Sequence, residues 1–596
     1  MRTQVARLFF FGCSFLVTCC IGSQLRDAIA EDPGCADCKA AEMLPESVVA
    51  YANVPDFGAF VQTVMNHPLR SRIESLSAYD AIVKSGQMGQ LDMAIDAFES
   101  SMKLPWQEAV SKLTDRGVTL VLDSSDGGAA ILVHSSDPEA LERFRTFLIV
   151  IRDLQGAVGK QGEYRGFVAD SIGDKVKMVR LNDWFVLTNS SELGKSIVDQ
   201  YLDQADANLA NDDWFQEAQS DLANTDRPPR VASAIVDVET LRAKGVAREV
   251  FNEKVDNFFG ELVLGGVLAN VRHAAYATAA ISMTDDGLGF ELATPHQRDW
   301  EAPREYYFGE HSRGAAPPLL DVDQRLFALS TYRDLSQMWL RSGDLLSDRA
   351  NDKLAVADTT LTTFFSGRDF GEDILGSFSS EVQIVGAVQD FTDVLPQPAI
   401  KLPAFAIQFR MKNPEETQPE LRRVFQSFIG FLNVTGAQNG QPQLDLGMET
   451  LGAAQLVTAT YVPDRDKRES LDEKIQFNFS PTVAFDGERM IVSSSTALAR
   501  ELVATEESEL TKVRTQSNTF AEVDAESSAL LLKANRKTLV ANNMLEKGHP
   551  KEAAEAEIDL LTDLVSLFEG VSAKLDFSDS RMSLGLNVDV RAEAQP

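Results

Sequence analysis

Five sequence elements occur twice in this chain, in the same order and roughly 280–305 residues apart. An internal repeat of that length restricts the fold more than any composition figure, because whatever the first copy folds into, the second is expected to fold into again. Val49-Ala-Tyr-Ala-Asn-Val-Pro-Asp56 parallels Phe327-Ala-Leu-Ser-Thr-Tyr-Arg-Asp334, each a short apolar strand leading into an amphipathic helix. Asp137-Pro138-Glu139 parallels Asn413-Pro414-Glu415; both follow a strand and open a long helix. Asp or Asn suits an N-cap, proline the first helical position, and glutamate the positive helix end. A third pair is a hairpin leading to a helix, Val179–Leu187 turning at Asn182-Asp183 and Val483–Ile491 turning at Asp486-Gly487. Serine-rich caps follow each, Ser190-Ser191 and Ser493-Ser494-Ser495. Fourth, Ala232–Leu241 parallels Ala529–Leu539, and last come two alternating hairpins, Ala279–Leu292 and Ala573–Leu586. Period-2 alternation over such lengths argues for sheets with one buried face.

The predicted fold class is therefore α+β: two tandem homologous modules, 42–295 and 321–592, each an antiparallel sheet covered on one side by helices. The length of 596 residues fits this division, since single cores stop growing at about 250–300 residues. Residues 296–320, with Pro303, Pro317 and Pro318, read as a linker. Its Tyr306-Tyr307-Phe308 cluster is of a kind that stacks on sugars, but reads better as an anchor holding the linker to a module surface.

The first thirty residues follow the order of an export signal. Arg2 and Arg7 form a positive start, Leu8–Ile21 an apolar run, and Ala28-Ile29-Ala30 an A-x-A cleavage site, with cleavage expected after Ala30. The run is shorter than the roughly 20 apolar residues of a comfortable span, so the mature chain is expected not to cross a membrane. A retained anchor is the competing reading, because Arg26 and Asp27 precede the cleavage site. Leu16-Val17-Thr18-Cys19 also has the outline of a lipoprotein box, with Thr18 where a small residue usually stands. Losing residues 1–30 would move the net charge from −33 to −35. So acidic a chain repels nucleic acid and anionic lipid surfaces.

Leu44-Pro-Glu-Ser-Val48, Tyr51 and Val54-Pro55-Asp56-Phe57 resemble the start of a family of exported bacterial proteins of unknown function. The resemblance is clearest over residues 44–66 and looser across the first module. The second module departs from it, with Tyr332-Arg333-Asp334 in place of Val-Pro-Asp. What it implies is an envelope or secreted location; it brings no activity and no functional residues.

Searches for chemistry return mostly architecture. Gly194-Lys195-Ser196 has the end of a phosphate-binding loop, but Asn189 stands where its first glycine belongs, and the repeat has Ser494–Arg500 with no Gly-Lys-Ser. Ser100-Ser-Met-Lys103 has the S-x-x-K spacing that lets a lysine activate a serine, without the supporting motifs. Asp123-Ser-Ser-Asp-Gly-Gly128 begins like a calcium loop, yet His134 stands where the twelfth-position glutamate belongs; it and Asp285-Asp-Gly287 read as hairpin turns. There is no G-x-S-x-G elbow, and the six histidines, His67, His134, His273, His296, His311 and His549, lack metal spacing. Cys35 and Cys38, in Cys35-Ala-Asp-Cys-Lys39, are the only cysteines beyond the signal. They fit a small local disulfide or free thiols, with intermolecular or redox use and attachment of haem or metal as the other readings.

These features predict an exported, non-enzymatic scaffold or binding protein of the periplasm or exterior, with no cofactor and an unknown envelope protein or ligand as partner. A carrier of a lipid or other apolar ligand is the alternative, permitted by long alternating strands and 34 phenylalanines. A hydrolase whose triad only the fold assembles is the second alternative.

Overall fold

The structure is a computed structural model that describes residues 39–76, 88–154, 159–173, 176–223, 230–296, 304–392, 397–462, 475–505, 517–578 and 580–592. Residues 1–30, the cleavage position after Ala30, Cys19, Cys35 and Cys38 lie outside the described residues. Two compact units divide the rest. One comprises the residues up to Ala247 together with Ala274–Leu292; the other comprises Arg248–His273 and the residues from Ala293 onward.

The first unit contains β1 (Val48–Val54), β2 (Val118–Asp123), β3 (Ala129–His134), β4 (Gln161–Tyr164), β5 (Phe167–Ile172), β6 (Val176–Leu181), β7 (Trp184–Thr188), β8 (Arg230–Asp237), β9 (Tyr276–Thr284) and most of β10 (Gly287–Pro295), whose residues from Ala293 fall in the second. They pair in the order β4-β5-β6-β7-β3-β2-β1-β8-β9-β10. The second unit contains β11 (Arg325–Tyr332), β12 (Phe378–Ala387), β13 (Ala404–Met411), β14 (Leu444–Leu451), β15 (Ala454–Tyr461), β16 (Thr482–Asp486), β17 (Arg489–Ser493), β18 (Thr519–Asp524), β19 (Phe568–Phe577) and β20 (Arg581–Val590). Their order is β14-β15-β16-β17-β13-β12-β11-β18-β19-β20, the same ladder with every label advanced by ten. The described ladders within each unit are antiparallel. The fold is thus α+β, with antiparallel sheet covered by helices.

The cover lies on both faces at the centre, not on one side as the alternation suggested. Leu132, Val179 and Val186 pack with Leu193, Ile197 and Phe215 on one face. Val133, Met178, Phe185 and Leu187 pack with Phe98, Leu141 and Phe147 on the other. β7 is accordingly buried along its whole length, as its unbroken run Trp-Phe-Val-Leu-Thr requires. In the second unit Val483, Phe485 and Met490 face one core while Ala484 and Ile491 face another.

Local chemistry explains the repeated signals. Asp56 follows β1 and caps the helix Phe57–Asn66, accepting from Ala59 N at 2.7 Å. Asp334 follows β11 and caps Leu335–Leu340, accepting from Gln337 N at 3.0 Å. The aspartate at this position is thus a helix cap in both units, after Val-Pro in the first and Tyr-Arg in the second. Asp237 and Asp524 do the same after β8 and β18. That last correspondence corrects the fourth sequence pair: Ala529–Leu539 is helical, lying in Ala525–Ala534 and Arg536–Lys547, and the strand equivalent to β8 is Thr519–Asp524. The β16–β17 turn is also one residue later than expected, because Asp486 pairs with Arg489 and the central residues are Gly487, at φ +57°, and Glu488.

Candidate functional site

In the first unit the hairpin β4–β5 leans over the helix Ser191–Asp203 and leaves a half-open cavity of about 380 Å³ between them. The hairpin turns on Arg165-Gly166, whose φ values of +50° and +91° match the handedness that the sheet twist demands of a two-residue turn. Its tip is tied to the helix. Tyr164 Oη donates to both carboxylate oxygens of Asp199, at 2.9 and 3.1 Å, and Arg165 donates to Asp199 at 2.8 Å and to both oxygens of Asp203 at 2.7 Å. The bond to Asp199 raises the Tyr164 phenol, and the bidentate guanidinium holds Asp203 below its ordinary range. These groups are in water, so the clasp positions more than it stabilises.

The walls are mostly apolar: Phe167 and Ala169 from β5, Met178 and Val179 from β6, Val198 from the helix, and the Tyr164 ring. Gly194 lines the helix side; a Cβ there would come within 3.1 Å of Thr188 Cγ2. Lys160, Lys177 and Lys195 belong to the same lining. Lys195 reaches Glu192 at 3.0 Å and lies 5.9 Å from the Tyr164 ring centroid. Two acids share the lining: Glu163, and Asp170, which is bound to Arg145 at 2.6 and 2.9 Å. The hydroxyls are engaged as well: Thr188 Oγ1 donates to Ala129 O at 2.8 Å, and Ser171 Oγ accepts from Lys160 N at 2.8 Å. Such a lining can hold a molecule by its apolar surface and attract negative charge.

Gly194-Lys195-Ser196 therefore lies at a cavity, but not as a phosphate loop. The helix start is already taken: Ser190 Oγ accepts from Leu193 N and donates to Asp126 Oδ2 at 2.5 Å, so a carboxylate sits at the positive helix end. Asp126 also accepts from Gly128 N at 2.7 Å, which makes Asp123–Gly128 a side-chain-braced hairpin turn. Ser100 Oγ donates to Asp96 O at 2.8 Å and Lys103 has φ +58° beyond the helix end, so S-x-x-K forms no pair. His67 fastens Leu69 N and Thr284 O, His134 stacks on Trp184 at 4.0 Å beside Asp183, and His549 faces Glu557 at 3.2 Å. Tyr306, Tyr307 and Phe308 are buried with Leu262, Met338 and Leu346 in the second unit, an anchor and not an open stacking surface. Among the described residues no cluster of three His, Cys, Asp or Glu side chains could hold a metal ion, and no helix is long and apolar enough to cross a membrane. The sequence reading missed the cavity; the signal was Tyr164-Arg-Gly-Phe167, a positive-φ turn between two short strands.

No family model matches the chain, and no curated protein does. Among solved structures it is similar to crystal forms I, III and IV of TP0453, at 8%, 10% and 9% identity. The overlap covers 44–45% of this chain and 81–82% of that one, with TM-scores of 0.22–0.23, too low to bear on fold or function.

Proposed function

We propose that this chain is an exported binding protein of the periplasm or exterior whose first unit carries a small apolar ligand with an anionic end. The half-open cavity between the β4–β5 hairpin and the Ser191–Asp203 helix carries the reading. Its volume lies within the range of about 300–1,000 Å³ that suits small-molecule sites. Its apolar walls favour a hydrophobic body at about 25 cal/mol per Å² buried. Three lysines against Glu163 and the Arg145-bound Asp170 leave the lining with a positive excess in a chain of net charge −33, and that excess favours an acidic head. The location rests on Arg2, Arg7, the Leu8–Ile21 run and Ala28-Ile29-Ala30.

Two measurements test this. The intact native mass of the protein from its own host should correspond to residues 31–596 plus a ligand released on denaturation; a mass retaining residues 1–30 would remove the export leg. Ligand-stripped protein should bind dansyl-undecanoic acid saturably at one site, and Ala169→Phe should weaken that binding at least about tenfold by filling the cavity, a loss of about 1.4 kcal/mol. Lys160→Glu with Lys177→Glu should weaken the acid more than the corresponding alcohol. Unsaturable binding, or binding indifferent to Ala169→Phe, refutes the cavity as the site.

A further inference from the structure

In the second unit, three side chains distant in sequence form one hydrogen-bonded line. Asn270 lies on the helix Phe258–His273, His296 directly follows β10, and Ser312 ends the single turn Glu310–Ser312. Asn270 Oδ1 is 2.7 Å from His296 Nδ1, and His296 Nε2 is 2.8 Å from Ser312 Oγ. The tautomer of the neutral ring follows from the far end. Asn270 Nδ2 donates to Gly266 O at 2.9 Å, which turns the amide oxygen toward the imidazole. An amide oxygen only accepts, so His296 Nδ1 carries the ring proton. Nε2 of the neutral ring then presents its lone pair, and Ser312 donates to it. This is the polarity of a serine poised to lose its proton to a histidine base.

Burial grades along the line in the sense a reaction needs. Asn270 is 1% exposed and His296 5%, whereas Ser312 is half-buried. The rings of Phe308 and Phe577 lie 4.9 and 5.2 Å from the imidazole. The turn itself is strained: His311 has φ +55° and Ser312 φ +57°, two successive non-glycine residues in the left-handed region. A histidine that merely pins two segments together needs no such strain; a turn that presents a hydroxyl at its apex does.

We propose that Ser312 is a nucleophile activated by His296 and oriented by Asn270, acting on carboxylic esters with a small apolar acyl group. Ser312 Oγ bonds to the ester carbonyl carbon as its proton passes to His296 Nε2. The bond from that carbon to the alkoxy oxygen breaks, and the alkoxide takes the proton to leave as the alcohol. Water, deprotonated by the same nitrogen, then releases the acid and restores the serine. Asn270 is a positioning residue: it fixes the tautomer but supplies no negative charge to the imidazolium, so turnover is slow and acylation is the step to observe. The inference is independent of the cavity reading, which concerns the other unit.

The test is labelling of the full chain with a fluorophosphonate, in which Ser312 Oγ bonds to phosphorus and fluoride leaves. The expected result is a single adduct mapped to Ser312, absent in Ser312→Ala and at least tenfold slower in His296→Gln, with Asn270→Asp retaining it. In the unmodified protein the labelling rate should rise with pH along one histidine-like titration, a readout that survives if a variant fails to fold. Absence of an adduct under conditions that label a serine esterase overturns the proposal. So does an adduct elsewhere, or a rate flat in pH.

Discussion

Arg333 precedes the cap Asp334 in the second unit as Pro55 precedes Asp56 in the first, and it is fully buried. Its guanidinium donates to Leu262 O and Tyr332 O at 2.6 Å and to Asn518 Oδ1 at 2.7 Å. Asn518 in turn donates to Tyr307 O at 2.8 Å. Burial pulls the guanidinium down to about 10, still charged at neutral pH. It therefore fastens the Phe258–His273 helix and Tyr306–Phe308 to the end of β11 within the second unit. Arg333→Met keeps most of the volume and removes every donor. Leu262 O lies in a helix and keeps its helical environment, and Asn518 Oδ1 still accepts from Thr519 Oγ1 at 3.1 Å; Tyr332 O is left short of a donor. An orphaned buried acceptor costs about 1–3 kcal/mol, so Arg333→Met predicts a loss of about 1–3 kcal/mol. At about 2–4 °C per kcal/mol, the second unit's melting transition should fall by roughly 2–12 °C. Arg333→Ala should cost about 1–2 kcal/mol more, because a cavity is added. Arg333→Lys should recover only part of the loss, since one ammonium cannot span the three acceptors. The assay is calorimetry together with hydrogen exchange of residues 258–273, whose amides should lose protection ahead of the rest. If Arg333→Met matches the parent in both, the guanidinium is not what satisfies these acceptors, and the reasoning fails.

The two matched caps give a paired prediction: Asp56→Ala and Asp334→Ala should each cost about 1 kcal/mol, each in its own unit's urea transition. A loss well above about 2 kcal/mol at either site would mean that the aspartate does more than cap. Glu261 gives a pH dependence. Burial raises its carboxyl above the ordinary value, against the opposing pull of the Tyr307 hydroxyl and of Arg272, Arg304 and Arg333. A raised acid contributes stability that is fully present below its unfolded value of 4.5 and lost as pH rises through the folded value. Glu261→Gln lacks that loss, so its stability relative to the parent should improve from pH 4 toward neutrality. A difference that is flat in pH, or that reverses, would show the arginines overcoming the burial.

What the sequence made legible was local. Strand alternation, hairpins and caps are written within stretches of a few residues, and Val483–Ile491 and Ala573–Leu586 read as the hairpins they are. Ala529–Leu539 was misread because Ala-Leu-Leu-Leu is apolar in either structure, and only the cap at Asp524 separates strand from helix there. Cover on both faces was written in Trp184–Thr188, which does not alternate, but one five-residue strand is outweighed by longer alternating ones. The cavity depends on how far the β4–β5 hairpin leans, which the Arg165 clasp to Asp199 and Asp203 sets across more than thirty residues. The line from Asn270 to Ser312 is less legible still. Its members are 26 and 16 residues apart with no motif around any of them, and the direction of its protons rests on a backbone carbonyl, Gly266 O, that no side-chain pattern encodes. Six dispersed histidines leave the hydrolase alternative open in the sequence, because such a centre needs only one imidazole with the right neighbours, and neighbours are what the fold supplies.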